Sequence, residues 1–242
     1  MKFLFIFLFS VRLFLAPSLL KAQELSEGEP FGSANGNPQD IFRSNLREAQ
    51  RGNAQAMGVV ALMYRRGLGC EKNQAEALKW LEKGAQKGDA DAENNLGFLY
   101  FQGSGVKQDD REALKWFRKA ALQGLASAEG NLGLMYGRGS GVHKDYALSL
   151  DWFRKAAGQD DADSQVNLAQ MLSLGEGGPQ DYMESHKWFS LALKDHTLEK
   201  SQVSELRGDI EWLEKHMTDK EIAEARKRAD AWKPGEEPAG KP

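Results

Sequence analysis

The chain repeats itself every 36 residues. Trp80, Trp116, Trp152 and Trp188 form one column, and Tyr64, Tyr100 and Tyr136 form another that ends in Leu172. Gly67, Gly103, Gly139 and Gly175 recur at the same interval, as do Gly69, Gly105, Gly141 and Gly177. A period of this length means that each unit buries its apolar face only against its neighbours, which is the construction of a solenoid. The spacing divides the chain into four repeats, 52–87, 88–123, 124–159 and 160–195.

Each repeat reads as two short helices. In the second, a first helix is expected over 90–102, because Ala92, Leu96, Leu99 and Tyr100 fall on one face at helical spacing. Gly97 stands inside it, where glycine costs roughly 1 kcal/mol relative to alanine. Its column holds Ala61, Gly133 and Ala169, so only small residues occur, and we expect a second helix to cross close to the backbone there. Gly103-Ser104-Gly105 then ends the helix and turns the chain. The column Asn73, Asp109, Asp145 and Asp181 is expected to cap the second helix, since such side chains accept from its unpaired N–H groups. Trp116 is read as the apolar anchor of that helix, beside Ala113, Phe117, Ala120 and Ala121. Lys83, Lys119 and Lys155 sit near helix C-termini and are read as a solvated face that offsets the helix dipole.

The pattern A-x-x-x-L-G-x-x-Y-x-x-G-x-G-V-x-x-D, followed by A-x-x-W-F-x-K-A-A-x-x-G, resembles the Sel-1-like repeat, a relative of the tetratricopeptide repeat. Ala92, Leu96, Gly97, Tyr100, Gly103, Gly105, Val106, Asp109, Ala113, Trp116, Lys119, Ala120, Ala121 and Gly124 carry it in the second copy. The first copy departs at Val60, Ala61 and Cys70, and the fourth at Ala169, Leu172, Gly178 and Leu191. The resemblance implies an all-α fold: a right-handed α/α solenoid superhelix of about four two-helix repeats with helical caps. It also implies protein binding, without naming a partner. A cysteine-rich secreted subgroup, for which penicillin binding and β-lactam hydrolysis have been claimed, carries paired cysteines in each repeat. This chain has one cysteine, so that activity does not transfer.

Outside the repeats the composition changes. Residues 1–22 carry Lys2 after Met1, continue through an apolar run and end at Ala22, like a secretory signal peptide, although Arg12 interrupts the run. An uncleaved anchor is the alternative. Removing Lys2, Arg12 and Lys21 leaves 29 basic against 35 acidic residues, a net charge of −6. Residues 23–39 read as a polar linker and 40–51 as an N-terminal capping helix opened by Asp40. Residues 196–233 read as two closing helices, the second started by the capping box Thr218 to Glu221. Residues 234–242 read as a disordered tail. The stretch from Met217 to Pro234 resembles the closing helix of bacterial repeat proteins, which points to the periplasm or the outside of the cell.

The sequence offers little chemistry. The expectation is no catalytic residue, no cofactor and no metal. Cys70 aligns with Val106 and Val142 and is read as a small buried hydrophobe. His143, His186, His196 and His216 show no metal-ligand spacing and are read as surface residues. The balance of charge gives no basic excess for nucleic acid.

What remains is a surface. If the first helices line the concave side, as in related α/α repeats, Leu62, Phe98, Phe101 and Leu134 form an apolar strip edged by Arg65, Arg66 and Arg138. Aromatic and arginine side chains are frequent anchors of interfaces. The expected ligand is an extended or helical peptide with an acidic flank. Inter-repeat packing of Phe98 and Leu134 is the competing reading. The leading function is an exported, non-enzymatic adaptor that docks a protein or peptide. An envelope enzyme or activator acting on peptidoglycan, and a purely structural spacer, are the alternatives.

Overall fold

The computed structural model describes residues 37–235, and the expectations for residues 1–36 and 236–242 lie outside them. Eleven helices and no strands occur among the described residues. They are α1 (Pro38–Gln50), α2 (Ala54–Arg66), α3 (Gln74–Gln86), α4 (Ala90–Gln102), α5 (Asp110–Leu122), α6 (Ala126–Arg138), α7 (Tyr146–Gly158), α8 (Ala162–Leu174), α9 (Tyr182–Ala192), α10 (Lys200–Glu214) and α11 (Asp219–Ala231). The four repeats are the pairs α2–α3, α4–α5, α6–α7 and α8–α9, an α/α solenoid.

Short polar side chains start these helices. Asn73, Asp109, Asp145 and Asp181 each accept a hydrogen bond from a backbone N–H in the first turn of the second helix of their repeat. Asn53, Asp89 and Asp161 do the same for α2, α4 and α8. The loop before each second helix is closed by the cap residue itself. The N–H groups of Asn73, Asp109, Asp145 and Asp181 donate to the carbonyls of Tyr64, Tyr100, Tyr136 and Leu172, at 2.9, 2.9, 3.0 and 2.9 Å. α1 begins three residues earlier than Asp40 as a cap implied, with Asn37 as cap and Pro38 at the first helical position, where a missing N–H costs nothing.

The two glycines of each turn have separate jobs. Gly67, Gly103 and Gly175 adopt φ of 74°, 69° and 73° and end α2, α4 and α8 in the left-handed conformation. The glycine two residues later is the contact between repeats. A Cβ on Gly141 would lie 2.5 Å from the carbonyl oxygen of Asp110, at the start of α5. A Cβ on Gly69 or Gly177 would meet the carbonyl of Pro38 or Tyr146 in the same way. Each turn therefore rests on the first residue of the second helix of the preceding repeat.

The chain forms two compact units whose boundary falls within α6. In the first, α1 to α5 pack in sequence around Ala56, Met57, Val60, Trp80, Leu81, Leu96 and Leu99. Phe42 and Leu46 of α1 close one end of this core, and the Phe42 and Tyr64 rings meet edge to face at 5.1 Å. In the second, Leu150, Phe153, Leu168, Met171, Trp188 and Phe189 form the core. There α11 packs directly on α9, where Ala229 and Trp232 join the core, and the Trp188 and Trp232 rings meet at 5.8 Å.

The core corrects the anchor assignment. Phe117 and Phe153 are each 1% exposed, while Trp116 and Trp152 are only half-buried. Adjacent helical positions point about 100° apart, and in α5 and α7 the phenylalanine is the ring turned fully inward, whereas in α9 both Trp188 and Phe189 are buried. The phenylalanine occupies the space left by Gly97 or Gly133 of the same repeat. Trp80 and Trp188 are buried.

Candidate interaction surface

The last turn of α2 carries Arg65 and Arg66, just before Gly67 ends the helix. Leu62, one turn earlier, shares their face. With Ala61, Gln74 and Leu78 of the same repeat and Asn95 and Leu99 of α4, Leu62 and Arg65 line a cavity of ≈ 30 Å³ within the first unit. Arg65 has no ion-pair or hydrogen-bond partner among the described residues, and desolvation alone pulls its guanidinium below the usual arginine range. The group stays charged at neutral pH. It is a partly desolvated cation at an otherwise apolar and amide-lined site.

The other residues of the expected strip have different surroundings. Phe98 and Leu134 are each 3% exposed, so they pack inside the chain and offer no surface to a partner. Leu62, Arg65, Arg66 and Phe101 are half-buried and lie in the first unit. Arg138 is half-buried and lies, with Leu134, in the second. Arg66 and Arg138 already interact within the chain.

The second helices present another periodic feature. Lys83, Lys119 and Lys155 lie over the rings of Trp80, Trp116 and Trp152 at 4.5, 4.1 and 4.0 Å from the centroid. Their position three residues after each tryptophan thus places a cation on the negative face of a ring, beyond the dipole role read from the sequence. Cys70 is half-buried rather than buried, and desolvation raises its thiol pKa, away from the reactive thiolate.

His186 is 1% exposed and not a surface residue. Its Nε2 lies 2.9 Å from Oε1 of Glu214 on α10, and its Nδ1 lies 3.3 Å from Oγ of Ser190. The same Glu214 oxygen accepts from Arg226 of α11 at 2.7 Å. The His186 contact and the Arg226 pair hold the Glu214 carboxyl below the usual carboxylate range. Arg228 of α11 reaches Glu184 of α9 at 3.1 Å. These contacts fasten α10 and α11 to α9. The signal was in the columns: His186 stands where the preceding repeats have Leu78, Leu114 and Leu150, an inward position. No group of three or more His, Cys, Asp or Glu side chains among the described residues is arranged to hold a metal ion. None of the described helices is long and apolar enough to cross a membrane.

The Sel1 repeat family model matches residues 54–89, 90–125, 126–161 and 162–195, more than half of the chain. No curated protein matches the chain. Among solved structures, a Sel1 repeat protein from Oxalobacter formigenes is similar over 88% of this chain and 86% of its own, with a TM-score of 0.70 and 27% identity. The protective antigen c5321 of uropathogenic Escherichia coli, which displays an SLR fold, is similar over 87% of this chain and 52% of its own, with a TM-score of 0.53 and 25% identity. Four matched repeats, the capped helix pairs and these neighbours lead to one conclusion: the chain belongs to the Sel1 repeat family.

Proposed function

We propose that this protein is a non-catalytic docking module that binds a partner protein through the face formed by α2 and α4, the first helices of the repeats in its first unit. Repeats of this family are in general protein-interaction modules. The observation that carries the reading to this face is Arg65, a cation held in a partly apolar cavity without a counter-charge among the described residues, beside the half-buried Leu62 on α2. Phe101, at the end of α4, belongs to the same unit and is the remaining aromatic of the set. Burying such a cation is favourable only if something supplies opposite charge, and arginine and aromatic side chains are the usual energetic anchors of interfaces.

The test is affinity capture from the native host with the tagged full chain and a Leu62→Ala/Arg65→Gln/Phe101→Ala variant, with helicity checked by circular dichroism. A partner held by the parent chain and lost by an equally helical variant is the expected result. Equal capture by both moves the docking face elsewhere.

We also propose that the protein is exported. Lys2, the apolar run to Leu20 and Ala22 support a cleaved leader and a periplasmic or secreted mature protein. Intact-mass measurement of the protein from its native host tests this. The expected mature chain starts at Gln23, and a chain that retains residues 1–22 in the cytoplasm contradicts it.

A further inference from the structure

We infer that the cavity between α2, α3 and α4 receives an Asp or Glu side chain from within a partner's peptide segment, with Arg65 as the group that binds its carboxylate. This deepens the docking reading above and rests on it. The chemistry of the lining selects the ligand. Leu62, Leu78, Leu81 and Leu99 form most of the apolar wall, Gln74 and Asn95 add amides, and Arg65 is the only charged group among the described residues that line it. Burial lowers the basicity of Arg65, and among the described residues no carboxylate pairs with it. Arg66 and Arg138 differ in this respect, because both interact within the chain.

A guanidinium presents parallel N–H donors that match the two oxygens of a carboxylate. In a partly desolvated site, a pairing of this kind is stronger than the same pair in water. The ligand that complements the lining is therefore an acidic residue next to a small apolar one: the carboxylate on Arg65, the apolar group against Leu62, Leu78 and Leu99. Gln74 and Asn95 can donate to the second carboxylate oxygen or to the peptide backbone. The cavity is small, ≈ 30 Å³, so a bulky aromatic does not fit without rearrangement.

Display selection tests the inference. A random ten-residue library, fused at its C-terminal end so that no free carboxylate terminus is presented, is selected on the immobilised full chain. It is selected in parallel on Arg65→Gln and on Lys119→Gln, a lysine of the second helices. Peptides enriched in Asp or Glu beside Ala or Val are expected on the parent chain and on Lys119→Gln. Their synthetic forms are expected to bind Arg65→Gln about 10-fold or more weakly, and to lose a similar factor when the acid is changed to its amide. Because Arg65 has no partner among the described residues, Arg65→Gln orphans none of them and should fold. Selected peptides that compete for this face but carry no acid overturn the carboxylate assignment alone. Acidic peptides that bind Arg65→Gln as well as the parent overturn the role of Arg65. No enriched peptide on the parent chain overturns the docking reading as well.

Discussion

Gly97 lies directly beneath the ring of Phe117: a Cβ built on it would stand 2.9 Å from Cδ1 and 3.0 Å from Cε1. The backbone of α4 and the aromatic ring of α5 are in contact because the side chain is missing. Gly97→Ala should therefore cost about 1–2 kcal/mol, since overpacking outweighs the gain in helix propensity. Gly208, in the interior of α10, meets nothing within 4 Å. Gly208→Ala should instead stabilise by up to about 1 kcal/mol. Urea unfolding of the two variants, read by circular dichroism, should give shifts of opposite sign.

Phe117 is buried and its neighbour Trp116 is half-buried. Phe117→Ala should cost about 3–5 kcal/mol through the cavity it leaves. Trp116→Ala should cost clearly less, because part of that ring faces water and it carries the stacked Lys119. Thermal melting of both variants checks the order, and a larger loss for Trp116→Ala would refute this orientation of α5.

The glycines between helices separate two kinds of constraint. Gly124 has φ of 82° with nothing within 4 Å of a Cβ, so Gly124→Ala carries only the backbone cost, about 1–2 kcal/mol. Gly141 has φ of 68° and also faces the Asp110 carbonyl. Gly141→Ala should be the more damaging variant and should loosen the contact between turn and helix. Hydrogen exchange across the first turn of α5 reads that loosening directly.

Glu93 and Glu129 are buried at equivalent positions, and each accepts from the glutamine that ends its own repeat, Gln123 at 2.7 Å and Gln159 at 2.8 Å. Desolvation raises both pKa values above the ordinary 4.5, and the glutamine hydrogen bonds offset only part of this. The folded state then holds protons that the unfolded state has released, so their contribution to stability improves as pH falls from neutral through the folded pKa values, and levels off below about 4.5. Glu214 has the opposite sign: its pKa is lowered, and the stability it provides is lost as pH falls below 4.5 through its folded value. Glu93→Gln/Glu129→Gln should be less dependent on pH between neutrality and pH 5 than the parent. Chemical unfolding at several pH values measures this.

Much of the architecture was legible because it depends on local chemistry repeated four times. The capping side chains at Asn73, Asp109, Asp145 and Asp181 and the glycines at 67, 103 and 175 act through the backbone around them, and their spacing alone locates the helix ends. The orientation of Trp116 against Phe117 was not legible. Both are apolar and adjacent, and the choice depends on which ring meets Gly97. His186 was misplaced for a related reason. Its polar side chain suggests solvent, but its partner Glu214 and the Arg226 that pairs with Glu214 lie 28 and 40 residues away on helices without the repeat motif. For the docking face, sequence spacing brought Leu62 and Arg65 together. It gave no means of separating the unpaired Arg65 from Arg66, or the buried Phe98 from the half-buried Phe101, because these depend on packing between helices.

Docking on α2 and α4 is read most directly by a deuterium-exchange footprint of the full chain bound to the partner captured from its native host. Added protection is expected over residues 58–66 of α2 and 95–102 of α4, lost in Arg65→Gln. Protection confined to the second helices around Trp80, Trp116 and Trp152, with α2 and α4 unchanged, would contradict it.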